Sequence, residues 1–304
     1  MKKNKLKSIV QSLVLLLVII LSVASCSFDD FVENEFDFTS VYLPHPQIDR
    51  SFIMGEGMQI GVGVVLGGRL SNTEDVEVTF SLNDAIVTDA GQDVLPSNYY
   101  ELVDVEGNPT DNKIVIKAGK TQGFVYVKAD SINFLTDPVS LGNNYALGFQ
   151  LDNVVKADSI LSERSSTMIT FTYINQLYGD YVQTGEAIRT GTLNDTFVYP
   201  AGITDVLELR MLGPDSLSCN GLANLRGADK TMDIIVASDN TITIKTATDR
   251  GGIDVNDDGG SFYNPETREI TLNYSFDFNG TSYVAKDILE FRNRVVDGVN
   301  QFDL

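Results

Sequence analysis

The sequence predicts an all-β chain in two parts. An Ig-like antiparallel β-sandwich comes first, and an up-and-down β-barrel follows, with a second sandwich as the alternative for that half. Three observations carry this reading. Apolar and polar residues alternate at period two along most of the chain, as they do on half-buried strands. Helical periodicity is nearly absent beyond the N-terminus. Short strand-like runs are separated at regular intervals by Gly, Pro, Asn and Asp, the residues that turns require.

Residues 1–25 read as an export signal. Lys2, Lys3, Lys5 and Lys7 precede an apolar run from Ile9 to Val23, a charged start and an apolar stretch being the usual pattern. The run is short for a membrane span of roughly 20 apolar residues. Val23-Ala24-Ser25-Cys26 resembles the lipobox of bacterial lipoproteins, which implies cleavage before Cys26 and acylation of its thiol. Ser27-Phe28-Asp29-Asp30 resembles the acidic surface-export signal of some glycan-harvesting Gram-negative bacteria, and residues 26–36 are read as an acidic tether. Together these imply a lipid-anchored protein of the outer membrane, facing the cell surface.

The sandwich is assigned to residues 37–174. In "GMQIGVGVVLGG", Met58, Ile60, Val62, Val64 and Leu66 face one way, and "DVEVTFSL" gives Val76, Val78, Phe80 and Leu82. "NKIVIKAG", "GFVYVKAD", "NNYALGFQLDN" and "STMITFTYI" continue the series. About seven such strands fit a sandwich of immunoglobulin type. The barrel is assigned to residues 175–304, from "YGDYVQTGEAIRTG" through "DVLELRML", "KTMDIIVAS", "NTITIKTA", "REITLNYSFDFNG" and "TSYVAKD" to "ILEFRNRV". Asn279-Gly280 is a two-residue hairpin signal, because a type I′ turn needs positive φ at both central positions.

Composition excludes several function classes. The chain holds 22 Lys and Arg against 42 Asp and Glu, a net charge of −20, and loss of the four signal lysines makes it more acidic still. Nucleic acid and anionic membrane surfaces need a basic footprint. His45, between Pro44 and Pro46, is the single imidazole, so a Ser–His–Asp set has no well-placed base. With Cys26 acylated, Cys219 is the remaining thiol, which leaves no disulfide framework and no zinc ligand set; it reads as a small buried filler. No pattern singles out the two carboxylates a glycosidase needs. The expected reading is non-enzymatic.

"DVNDDGGSFYNPE", residues 254–266, begins like an EF-hand loop, with Asp254, Asn256 and Asp258 at alternate positions and Gly259 sixth. The bidentate Glu belongs at the twelfth position. Pro265 stands there instead, and strands rather than helices flank the loop. The expectation is a solvated interstrand loop followed by a hairpin turning at Asn264-Pro265-Glu266-Thr267. No cofactor is expected, with some other calcium geometry on Asp254, Asn256 and Asp258 left open.

"TSVYLPHPQ", "LPSNYYELVD" and "IVIKAGKTQGFVYVKAD" resemble the Ig-like N-terminal domain of lipoproteins from bacterial polysaccharide-utilisation systems. The same domain type precedes some family-18 glycoside hydrolases. "YGDYVQTGEAIRTG", "GGSFYNPETREITLNYSF" and "EFRNRVVDGVNQF" are similar to the lipocalin-like C-terminal domain of the non-enzymatic members. The resemblance implies a surface lipoprotein that binds an extracellular polysaccharide or oligosaccharide beside an outer-membrane transporter complex, touching the membrane through its lipid anchor alone. A structural or protein-interaction lipoprotein without sugar affinity is the alternative. Sugar sites use aromatic faces and planar polar groups, and the chain has no Trp but 12 Tyr and 16 Phe. Tyr99, Tyr199 and Tyr263 are the candidates, each with polar neighbours beside an apolar ring that carries a hydroxyl. Arg189, Arg226, Arg292 and Arg294 could clamp an acidic sugar through bidentate hydrogen bonds, but in so acidic a chain they are expected to pair with nearby carboxylates.

Overall fold

Alternation decides which side of each strand faces a core, and the pairing of strands then sets where the two cores lie. The computed structural model describes residues 38–110, 112–199 and 206–302. The signal, the tether and Cys26 lie outside them. In chain order the first half forms β1 (Ser40–Tyr42), β2 (Gln47–Ile53), β3 (Gln59–Gly67), β4 (Val76–Leu82), β5 (Asp93–Val94), β6 (Tyr100–Val103), β7 (Lys113–Ile116), β8 (Gln122–Ala129), β9 (Tyr145–Val155), β10 (Ser159–Ile160) and β11 (Ser166–Ile174).

These strands make two facing sheets, in the orders β10-β1-β3-β8-β6 and β2-β11-β9-β4-β7, with β5 beside β9. The inward alternates Val62, Val64 and Leu66 of β3 meet Phe52, Phe80, Phe149 and Phe171 of the opposite sheet, with Phe52 stacked on Phe171 at 5.4 Å between ring centroids. The sandwich is not wholly antiparallel. β1 pairs with β10, β2 with β11 and β5 with β9 in parallel, an arrangement that needs long crossovers between the partners. The opening strands meet partners from the end of the domain, so the chain between them supplies that length. Two short helices, Asp84–Asp89 and Ser131–Thr136, are capped by the side chains of Asn83 and Asp130.

The second half forms β12 (Gly179–Gly191), β13 (Asp195–Tyr199), β14 (Val206–Gly213), β15 (Ser216–Cys219), β16 (Met232–Val236), β17 (Ile242–Thr246), β18 (Val255–Asp257), β19 (Phe262–Asn264), β20 (Glu269–Phe278), β21 (Thr281–Val296) and β22 (Val299–Gln301). The main path runs β17-β16-β15-β14-β12-β21-β20-β18, an up-and-down meander of eight strands. The seam between β17 and β18 is closed by side chains rather than a ladder. The Asp257 carboxylate accepts from the Ile244 N–H at 3.1 Å, and the Thr246 hydroxyl accepts from the Val255 N–H at 2.9 Å. The result is a nearly closed barrel. Asn279 and Gly280 take φ of 50° and 76° at the β20–β21 turn, as the hairpin signal requires.

Eight strands enclose a space that side chains can just fill, and here they fill it. Leu207, Leu217, Ile234, Ile270, Leu272 and Leu289 form much of the core, and Cys219 lies fully buried among them, its thiol pushed far up by burial. The loop after β15 folds in as a plug, with Leu222 and Ala223 fully buried. A polar group sits at the centre. Asp287, fully buried, accepts from the hydroxyl of Tyr199 and, at 2.6 Å, from that of Tyr274. Tyr274 in turn accepts from the Ala223 N–H at 2.5 Å, and Gln183 donates to the Ala223 carbonyl at 2.9 Å. Arg226 donates to Gln183 at 2.5 Å.

Burial raises the Asp287 carboxyl from 3.8 to about 6, against the pull of its hydroxyl donors. The protonated form is therefore favoured by the fold. The stability it contributes is complete below pH 3.8 and is lost as pH rises through 6; the shift corresponds to roughly 3 kcal/mol. Urea unfolding of the wild type and Asp287→Asn at several pH values tests this. The wild type is expected to lose stability relative to the variant between pH 4 and 7, and parallel curves would contradict it.

Candidate functional site

In β3 the outward alternates are Gln59, Gly61, Gly63, Val65 and Gly67, and in β8 they are Gln122, Phe124, Tyr126 and Lys128. The register sets Gly63 opposite Phe124 and Gly61 opposite Tyr126. Two aromatic rings thus lie beside two residues without side chains, and they lean into the vacant space. A Cβ at Gly63 would stand 2.8 Å from Cε1 of Phe124, and one at Gly61 would stand 3.1 Å from Cε1 of Tyr126. The ring centroids are 6.2 Å apart. Phe124 remains 43 % exposed, so an aromatic side chain is fixed in place while much of it faces solvent.

The edge of β3 beside this ring is bare. Leu66 donates its N–H to Thr121, and Met58 accepts from the Ala129 N–H, so the even-numbered residues of β3 direct their backbone groups toward β8. Gly61 and Gly63, in alternation, direct theirs the other way. On that side β1 covers only Val65 to Gly67, because the chain leaves after Tyr42 and crosses to the other sheet as Leu43-Pro44-His45-Pro46. A groove of about 220 Å³ opens there, lined by the crossing segment with His45, by Ile48 and Arg50 of β2, by Gly61 and Gly63, and by Gln122 and Phe124. The crossing is held in place by Arg164, whose guanidinium donates to the Pro44 carbonyl at 2.6 Å. An exposed ring, a guanidinium, an amide, an imidazole and bare peptide groups thus converge on one small space.

The three tyrosines named from the sequence belong to three other places. The Tyr99 hydroxyl donates to Asp137 at 3.1 Å, beside Tyr145, which donates to the same carboxylate at 2.6 Å. That bond holds Asp137 below its ordinary value and pushes the Tyr145 phenol up to about 12. Tyr199 is inside the barrel on Asp287 and is 6 % exposed, so it is a core residue rather than a loop contact. Tyr263, 8 % exposed, lines a larger cleft of about 520 Å³ between the two halves, with Asn175, Gln176, Asp215 and Asn240. Sequence reasoning missed Phe124. Its signal was the pair "GVG" and "GFVY", glycines and aromatics that share an outward face once β3 and β8 are in register.

Two of the four arginines pair with carboxylates as expected. Arg189 forks onto Asp195 at 2.6 and 2.7 Å, and Arg294 meets Glu56 at 2.9 Å. Arg226 instead serves Gln183 and main-chain carbonyls, and Arg292 is exposed. The middle of the acidic stretch, Val255–Asp257, is strand where a loop was expected, with Asp254 and Asp258 flanking it. Asn256 lies within β18, opposite Ser275 of β20, and Asp258 accepts from the Ser275 hydroxyl at 2.9 Å. An extended run sets Asp254 and Asp258 roughly 13 Å apart, which disfavours convergence of Asp254, Asn256 and Asp258 on one ion. Among the described residues no group of three or more His, Cys, Asp or Glu could hold a metal. The hairpin does form, with Asn264 accepting from the Glu266 N–H at 3.0 Å.

A family model described as "-like, N-terminal domain" matches residues 36–158. No curated protein matches the chain. The chain is similar to a solved structure of unknown function from Bacteroides ovatus, with TM-score 0.65 and 17 % identity over 88 % of this chain and 98 % of that one. It also aligns with an auxiliary nutrient binding protein from Bacteroides thetaiotaomicron, at TM-score 0.41 and 12 % identity over 83 % and 92 % of the two chains. The first likeness shows a shared two-part all-β fold.

A ligand that binds only the folded state raises Tm. Millimolar calcium is expected to leave Tm where chelator leaves it, and a rise in calcium would reinstate a cation site at β18.

Proposed function

We propose that the chain is a non-catalytic glycan-binding lipoprotein of the outer-membrane surface, and that it holds a sugar in the groove beside Phe124. The observation that carries this reading is the ring of Phe124, fixed over Gly61 and Gly63 and still 43 % exposed, next to a bare peptide edge. An aromatic side chain offers the apolar C–H patch of a pyranose a broad partner, and the surrounding amide, guanidinium and peptide groups suit its hydroxyls. The volume of about 220 Å³ is below the roughly 300–1,000 Å³ of sites for drug-sized ligands and has room for about one sugar ring, with the rest of the chain running out over solvent.

The resemblance of both halves to lipoproteins of polysaccharide-utilisation systems supports the same reading, as does the lipobox ending at Cys26. Catalysis has little to work with in the groove. Its lining includes no carboxylate and a single exposed imidazole, whereas glycoside hydrolysis needs two carboxyl groups at a set separation.

A polysaccharide panel in affinity gels is expected to show retention of the mature chain by at least one glycan. Phe124→Ala should weaken that retention by about tenfold, equivalent to about 1.4 kcal/mol, without lowering Tm. Gly63→Val should do the same by displacing the ring. Retention by none of the polysaccharides, together with co-purification in an outer-membrane complex, would favour the protein-interaction reading instead. Cys26→Ser is expected to move the protein from the membrane fraction to the soluble one, and unchanged partitioning would remove the lipid anchor.

A further inference from the structure

The groove beside Phe124 is lined by no Asp and no Glu, in a chain that carries 42 of them against 22 Lys and Arg. Its one fully charged lining group is Arg50, on the face of β2 that turns toward β3. Three other arginines are engaged at short range. Arg189 forks onto Asp195, Arg210 meets Asp180 at 2.8 Å, and Arg294 meets Glu56 at 2.9 Å. Arg50 is held more loosely. It forms an ion pair with Asp297, but at 3.7 Å, longer than a hydrogen bond.

A guanidinium presents five N–H donors in a planar fork, and that fork fits the two oxygens of a carboxylate or sulfate side by side. Arg50 is one-third exposed and shares the groove with the aromatic ring. We infer that the site selects an anionic saccharide, a uronic acid or a sulfated sugar, whose ring lies against Phe124 while its charged group takes the fork of Arg50. This rests on the glycan reading above and adds the ligand's charge to it. Gln122, the exposed His45 and the peptide groups of Gly61 and Gly63 then serve the hydroxyls.

Isothermal titration of the full mature chain tests this, with oligogalacturonides against their methyl esters and a sulfated galactan oligomer against its desulfated form. The esters and the desulfated sugars keep the ring and remove the charge. At least one acidic form is expected to bind tenfold or more tightly than its neutral counterpart, with the gap narrowing as salt is raised. Arg50→Gln should close the gap, Arg50→Lys should restore part of it, and Phe124→Ala should weaken acidic and neutral forms alike. Thermal unfolding of each variant confirms that it is folded. Equal binding of charged and neutral forms, or a gap that Arg50→Gln leaves in place, overturns the anionic assignment and leaves the glycan reading standing. Absence of binding to all four sugars and to the wider polysaccharide panel overturns both.

Discussion

A buried guanidinium joins the two halves of this protein. β21 runs on past the barrel wall, and its Arg294, with a side chain 1 % exposed, meets Glu56 in the turn between β2 and β3. Gln301 of the returning strand accepts a second bond at 2.7 Å. Arg294 is buried while Glu56 is 42 % exposed, so loss of Glu56 would leave a buried guanidinium short of compensation although solvent screens the pair from one side. The joint has secondary supports. Asn175 reaches the Pro214 carbonyl at 3.2 Å, and Met211 packs against both cores. The same hairpin that carries Arg294 places Asp297 near Arg50. The C-terminal end of the chain therefore shapes the border of a groove that the N-terminal domain builds.

The barrel, by contrast, looks inward. A lipocalin-like resemblance raises the idea of a ligand held inside, yet Asp287, Tyr199, Tyr274, Gln183 and the plug loop occupy that volume. A buried polar group without partners would cost about 1–3 kcal/mol, and here each of these side chains finds one. The network keeps the interior specific while denying it to a ligand. The sandwich, by contrast, carries an exposed ring on its surface at Phe124.

Much of the fold was legible because it rests on local rules. Period two marks β3, β4, β8, β20 and β21, and the turns at Asn279-Gly280 and Asn264-Pro265 name themselves through backbone geometry. Cys219 read as filler because nothing near it could make it reactive, and it is buried. The site was less legible for a definite reason. Gly61 and Phe124 are far apart in sequence and meet only through the β3–β8 register, and no residue in either strand announces that pairing. Tyr199 shows the opposite failure. Its polar neighbours suggested a loop, but β13 pairs with β12 so that its ring enters the barrel, and a hydroxyl can be buried once a carboxylate is there to receive it. Asp254, Asn256 and Asp258 had the spacing of a cation loop, and pairing of Val255–Asp257 with β20 draws the middle of that run straight.

The acidity of the chain opposes an anionic ligand at long range, through a net charge of −20. Screening changes the balance. At physiological ionic strength charges separated by more than about 8 Å are largely hidden from one another, so the groove's own lining outweighs the distant surface. That lining holds Arg50 and no carboxylate, with Asp297 at its border 3.7 Å from the guanidinium. The outer charges keep such a protein soluble and discourage anions from settling elsewhere on it. An acidic exterior around a groove lined by no Asp or Glu is thus a selective arrangement. A chain with scattered basic patches would hold an acidic polysaccharide loosely at many points, whereas an acidic surround favours the local contact at Arg50 beside Phe124.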